Sequence, residues 1–152
     1  MKKIIFLLLV FVILVNVQAQ EVWTCGLTKS QETGIVKYAM VYGEDKSKLV
    51  VDNFVGTYYR NIYITGVEYF LGDNARLYIV FDDSNKVYDI PTRSGYKLDF
   101  WEFNVESKEF DFFLDKLKKC NFVSIRIKSS LVDSEYRFSL KKSRFCINYI
   151  FK

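Results

Sequence analysis

Side chains alternate in character with a period of two along much of the chain, and this limits the fold before composition is considered. In Arg76 to Phe81, Leu77, Ile79 and Phe81 share one face, with Arg76, Tyr78 and Val80 on the other. Val123, Ile125 and Ile127 alternate with Ser124, Arg126 and Lys128, and Tyr136, Phe138 and Leu140 alternate with Glu135, Arg137 and Ser139. Each pattern fits a strand with one face buried. The clearest hairpin is Ala75–Asp82, the turn Asp83-Ser84-Asn85, then Lys86–Ile90, stopped by Pro91, which has no N–H for a ladder. Val22–Thr28, Ile35–Tyr42, Lys48–Val51, Thr57–Ile64 and Tyr96–Trp101 are further predicted strands, punctuated by Gly, Asn, Asp and Ser.

One segment breaks the period. Phe110, Phe113, Leu114 and Leu117 fall at i, i+3, i+4 and i+7, one stripe of an amphipathic helix over residues 107–119. Ser107 is its expected N-cap, and Lys116, Lys118 and Lys119 in the last turn suit the helix dipole. The run Arg144–Phe151 fits a strand or a short helix equally well. The expected fold is mainly β (α+β): an antiparallel β-sandwich or partly open barrel of seven to nine short strands, with one late helix against it.

The N-terminus is different again. Two lysines precede twelve apolar residues from Ile4 to Val15, followed by Asn16-Val17-Gln18-Ala19-Gln20. A twelve-residue helix spans about 18 Å, short of a ~30 Å hydrocarbon core. This fits a secretory signal cut after Ala19 or Gln20, leaving residues 21–152 as a single β-rich domain with no membrane anchor, in the periplasm or secreted.

The chain contains no His. That excludes Ser-His-Asp and Cys-His nucleophile systems, imidazole acid–base catalysis and His-ligated metals. Cofactors are not expected. Charge is uneven: residues 21–115 carry 10 basic and 16 acidic side chains, and residues 116–152 carry 10 and 2. Either the two parts complement each other within one fold, or the basic end meets an anionic partner such as a headgroup or cell-wall polymer. So small a net charge on an exported chain argues against nucleic acid. Cys25, Cys120 and Cys146 suit one disulfide and one spare thiol, with all three pairings open.

Candidate sites are few. Asp82, Asp83 and Asn85 offer oxygen ligands for a hard cation, but they lack the spacing and Gly of a calcium loop, and an Asx turn accounts for them. Glu102, Glu106 and Glu109 lie near Trp101 and Phe103, a mixture of acids and aromatics that a carboxylate glycosidase could use. Tyr58, Tyr59, Tyr63, Tyr69 and Trp101 could form a stacking or protein-binding surface. The same aromatics are also good strand formers that fill small cores.

A string of short motifs resembles small exported bacterial proteins, among them periplasmic accessory proteins associated with type VI secretion. It runs from Lys48-Leu49-Val50-Val51 through Tyr63-Ile64, Arg76 to Phe81-Asp82, Ser94-Gly95, Phe113–Leu117 and Ile125-Arg126-Ile127 to Phe138-Ser139-Leu140. The chain departs from that pattern in lacking a Cys after the first motif and a Gly after the last. The resemblance implies a non-enzymatic β-rich accessory domain and transfers no catalytic residue. Taken together, the expectation is an exported, non-enzymatic binding or accessory protein facing a protein or envelope partner. The alternatives are an inhibitor or immunity-like protein of a secreted hydrolase, and a carboxylate glycosidase.

Overall fold

The computed structural model describes residues 22–30, 34–43, 46–57, 59–67, 75–91, 93–94, 100–102 and 107–152, with side chains left out for 30, 91–94, 100–102 and 107. The signal-like segment therefore lies outside the described residues, as do Tyr58, Tyr69, Phe103 and Glu106.

The described residues form ten strand segments and two helices. They are β1 (Thr24–Ser30), β2 (Gly34–Tyr42), β3 (Lys48–Phe54), β4 (Arg60–Thr65), β5 (Arg76–Phe81), β6 (Val87–Pro91), β7 (Arg93–Ser94), β8 (Phe100–Glu102), α1 (Ser107–Lys119), β9 (Phe122–Lys128), β10 (Asp133–Ser139) and α2 (Ser143–Ile150). They form two antiparallel sheets, ordered β1-β2-β3-β4-β8-β7 and β10-β9-β5-β6. Each order has two ends, so neither sheet closes on itself. The fold is mainly β, as expected, and two of the described segments, β7 and β8, are only two and three residues long.

Period-two patterning drives both sheets. Ala39 and Val41 of β2, Leu49 and Val51 of β3, and Ile62 and Ile64 of β4 are buried in the same core as Leu77, Ile79 and Phe81 of β5 and Val123, Ile125 and Ile127 of β9. Residues of both sheets and of α1 (Leu49, Ile62, Ile79, Phe81, Val123, Ile125, Phe113 and Leu117) surround one void of about 10 Å³, no larger than a single water needs. Pro91 ends β6, an edge strand, the kind of strand to which a residue without an N–H is confined.

The helix over 107–119 has the expected bounds and buries its expected stripe: Phe110, Phe113, Leu114 and Leu117 are all in the core. Its outer side is tied down by Arg60, which pairs with Asp111 at 2.9 Å and lies 4.4 Å over the Phe110 ring. The ambiguous closing run resolves as helix α2. Cys146, Ile147 and Ile150, spaced for a helix, enter the core, while Ser143 Oγ donates to the Leu117 carbonyl at 2.6 Å. Asn53 of β3 donates to the Ile150 carbonyl at 2.7 Å, satisfying one orphan acceptor at the helix end.

One predicted strand starts late. Thr57 and Tyr59 lie in the turn before β4, which begins at Arg60 and not at Thr57. Gly56 has a positive φ of 83°, Thr57 N–H and Oγ both bond the Phe54 carbonyl, and Tyr59 N–H donates to Thr57 Oγ at 3.1 Å. A threonine that feeds its own hydroxyl into the local backbone favours a turn over a ladder.

Candidate functional site

The outward faces of β5, β6, β9 and β10 form an open concavity. Alternation sends Leu77, Ile79, Val123, Ile125 and Ile127 inward and leaves Tyr78, Val80, Ser124, Arg126 and Lys128 pointing out. The register then places them side by side: Tyr78 pairs with Asp89 of β6 and Arg126 of β9, and Arg126 pairs with Glu135 of β10. Tyr78, Val80, Val87, Ser124, Arg126, Lys128 and Glu135 line an open groove of about 420 Å³. Its floor is mixed, with one aromatic ring, two valines and charges of both signs.

Ion pairs fix the groove's rim. Arg126 makes a two-pronged pair with Asp133, Nε at 2.5 Å and Nη2 at 2.6 Å, and Arg76 pairs with Asp89 at 2.6 Å. Arg126 holds the Asp133 carboxyl below its ordinary range, and Asp89 raises the Arg76 guanidinium in turn. All four side chains are about half exposed, so these pairs orient the arginines more than they stabilise the fold. The groove can grip a ligand by stacking, by apolar contact and by charge at once.

A second polar feature lies on the other sheet. Val50 and Asp52 alternate away from Leu49 and Val51, so they occupy the face of β3 opposite the core. Asp52 is nevertheless buried, and it accepts a hydrogen bond from Tyr63 of β4. Burial pushes its carboxyl from the ordinary 3.8 up to about 6, against the downward pull of that hydrogen bond. Burial and the neighbouring Asp52 charge push the Tyr63 hydroxyl up as well.

The sequence-predicted site residues scatter. Tyr59 is 74% exposed in the turn before β4, and Tyr63 sits half-buried within β4 against Asp52. Trp101 is in β8, its backbone paired with Ile64, and Glu102 pairs with Tyr63. Glu109 is exposed in the first turn of α1. The oxygen-rich turn is held by protein donors: Asp82 accepts from Asn121 N–H at 3.0 Å and Nδ2 at 3.0 Å, and Asp83 pairs with Lys116. Asn85 is exposed in the same turn. No group of three or more His, Cys, Asp or Glu able to hold a metal occurs among the described residues.

Of the three thiols, Cys120 is buried after α1, hydrogen-bonded to Asp83, whereas Cys25 and Cys146 meet at the junction of β1 and α2. Among the described residues no helix is long and apolar enough to cross a membrane. Of the basic C-terminal side chains, Lys116 crosses to the acidic part to meet Asp83, Lys119 pairs locally with Asp115, and Arg126 is served by Asp133 beside it.

Sequence reasoning missed Tyr78, Arg126, Lys128 and Glu135 as one site because they belong to three separate strands. Their outward parity was readable, but the β5–β9 pairing that joins them was not. Compared with models of known protein families, with curated proteins and with solved structures, the chain matches none.

Proposed function

We propose that this chain is an exported, non-enzymatic binding or accessory protein, and that it holds a protein or envelope partner in the groove on the outer face of β5, β6, β9 and β10. In this reading the two sheets are the layers of a sandwich, with α1 and α2 completing the core and one sheet face left open for the partner. A single observation carries it: an open groove of about 420 Å³ that joins an aromatic ring, two valines and oriented charges of both signs. Protein-binding surfaces favour this mixture, with aromatic and Arg anchors inside a polar rim. An accessory role of this kind is also what the resemblance to type VI secretion-associated periplasmic proteins implies.

The test is affinity capture from envelope extract with the wild type, Tyr78→Ala and Lys128→Glu, each first shown to melt like the wild type. Both substitutions are on the outward face, so they should leave the core intact. The expected result is a partner retained by the wild type and reduced at least tenfold by Tyr78→Ala, a loss of about 1.4 kcal/mol. Equal retention by all three proteins would move the contact surface elsewhere. Measured turnover of any substrate would replace the binding reading with an enzymatic one.

A further inference from the structure

We propose that Cys25 and Cys146 are a disulfide pair that locks the first strand of the sheet to the last helix, with Cys120 remaining a thiol. Cys25 pairs in register with Ala39, a fully buried core residue, and is itself packed against the core. It follows Trp23 by two residues and so shares its face. Trp23 is anchored from both sides: its N–H bonds the Lys141 carbonyl, and its indole N–H donates to the Ser139 carbonyl at 2.9 Å. That anchoring brings the start of β1 against α2, whose Cys146 thiol donates to the Trp23 carbonyl at 3.4 Å and stands in hydrogen-bond contact with the Cys25 thiol. Cys120 has no such neighbour, since its thiol is engaged with Asp83 across the turn from α1.

Closure needs an external disulfide as oxidant, either oxidised glutathione or a protein disulfide catalyst. The Cys25 thiolate attacks one sulfur of that disulfide, giving a mixed disulfide and releasing one thiolate. The Cys146 sulfur, once deprotonated, attacks the Cys25 sulfur and expels the second thiolate. The protein gives up two protons and two electrons, and the external disulfide becomes two thiols. Burial is the main cause that pushes the Cys146 thiol up to about 12, so the second attack is slow once α2 has docked. The bond therefore closes while the chain folds. Once closed, it spans nearly the whole described chain, the arrangement in which a cross-link restricts the unfolded state most.

The experiment is refolding of the full chain in mixed reduced and oxidised glutathione, alkylation, and non-reducing peptide mapping. The expected product is lighter by about 2 Da, with peptides of Cys25 and Cys146 linked and Cys120 alkylated only after denaturation. Its melting temperature should fall on the order of 10 °C on reduction. Cys146→Ser removes a buried group and is liable to misfold, so Cys25→Ser at the more accessible partner carries the genetic test. It should melt like the reduced wild type and ignore reductant, while Cys120→Ser keeps both the link and the reductant response. A link through Cys120, or three free thiols in a cooperatively melting product, overturns the pairing.

Discussion

Asp52 and Tyr63 are hydrogen-bonded between β3 and β4 on the face of the sheet turned from the core, and the carboxylate is buried although no cation pairs with it among the described residues. Burial dominates, so the folded chain binds a proton at Asp52 more tightly than the unfolded chain does. For an acid whose folded pKa is raised, the stabilising contribution is complete below the ordinary 3.8 and is lost as pH climbs through about 6. The full swing is about 3 kcal/mol. Asp83, Asp115 and Asp133 act the opposite way, because their Lys or Arg partners depress them and their contribution goes as pH falls. The informative quantity is thus a difference between two proteins. Asp52→Asn should match the wild type near pH 4 and exceed it above pH 7 by up to about 3 kcal/mol in urea unfolding. Parallel stability curves would show that Asp52 is solvated in the fold.

Two glycines in left-handed backbone separate the cost of conformation from the cost of crowding. Gly56 has φ 83° with nothing within 4 Å of where a Cβ would stand. Gly66 has φ 78°, but its Cβ would lie 3.0 Å from the Lys46 carbonyl oxygen and 3.4 Å from the Ser47 Cα, both backbone atoms. Gly56→Ala should cost about 1–2 kcal/mol, the left-handed penalty alone. Gly66→Ala should cost about 1–3 kcal/mol more, because the opposing backbone must move. Chemical denaturation of the two variants side by side checks the ranking, and equal losses would mean that the 46–47 segment yields freely.

Much of this architecture was legible locally. The Phe110, Phe113, Leu114, Leu117 stripe gave the helix to its observed ends, and the alternation in 76–81, 123–127 and 136–140 gave both the strands and their buried faces. What local pattern could not give is pairing at a distance. β5 lies between β6, its hairpin partner, and β9, more than forty residues on, and that second contact creates the groove. The same limit hid Asp52, which reads as an ordinary polar residue after Lys48–Val51 until Tyr63 is laid beside it. Arg144–Phe151 stayed ambiguous because eight residues that supply Cys146, Ile147 and Ile150 to a core suit either period until the surface they meet is known. The scattered tyrosines illustrate the reverse: residue type suggested one patch, and strand position separated Tyr59 from Tyr63.

Phe81 is where the four-stranded sheet meets α1, and it is the position at which core packing is most directly tested. It is 1% exposed, its ring centroid lies 6.1 Å from Phe113 and 6.3 Å from Tyr88, and it borders the small void between both sheets and α1. A neighbourhood this full cannot collapse to fill the space a ring leaves, so Phe81→Ala should cost about 3–5 kcal/mol. Phe112 makes a useful control from the same aromatic group. It lies 5.3 Å from Tyr88 and 5.5 Å from Phe113 but is 40% exposed, so its ring contacts are made against water. Phe112→Ala should cost about 1 kcal/mol, the value of an aromatic pair with little burial. Urea titration reads both as midpoint shifts at constant slope. A Phe81→Ala loss no greater than that of Phe112→Ala would mean that α1 does not rest on β5 in solution.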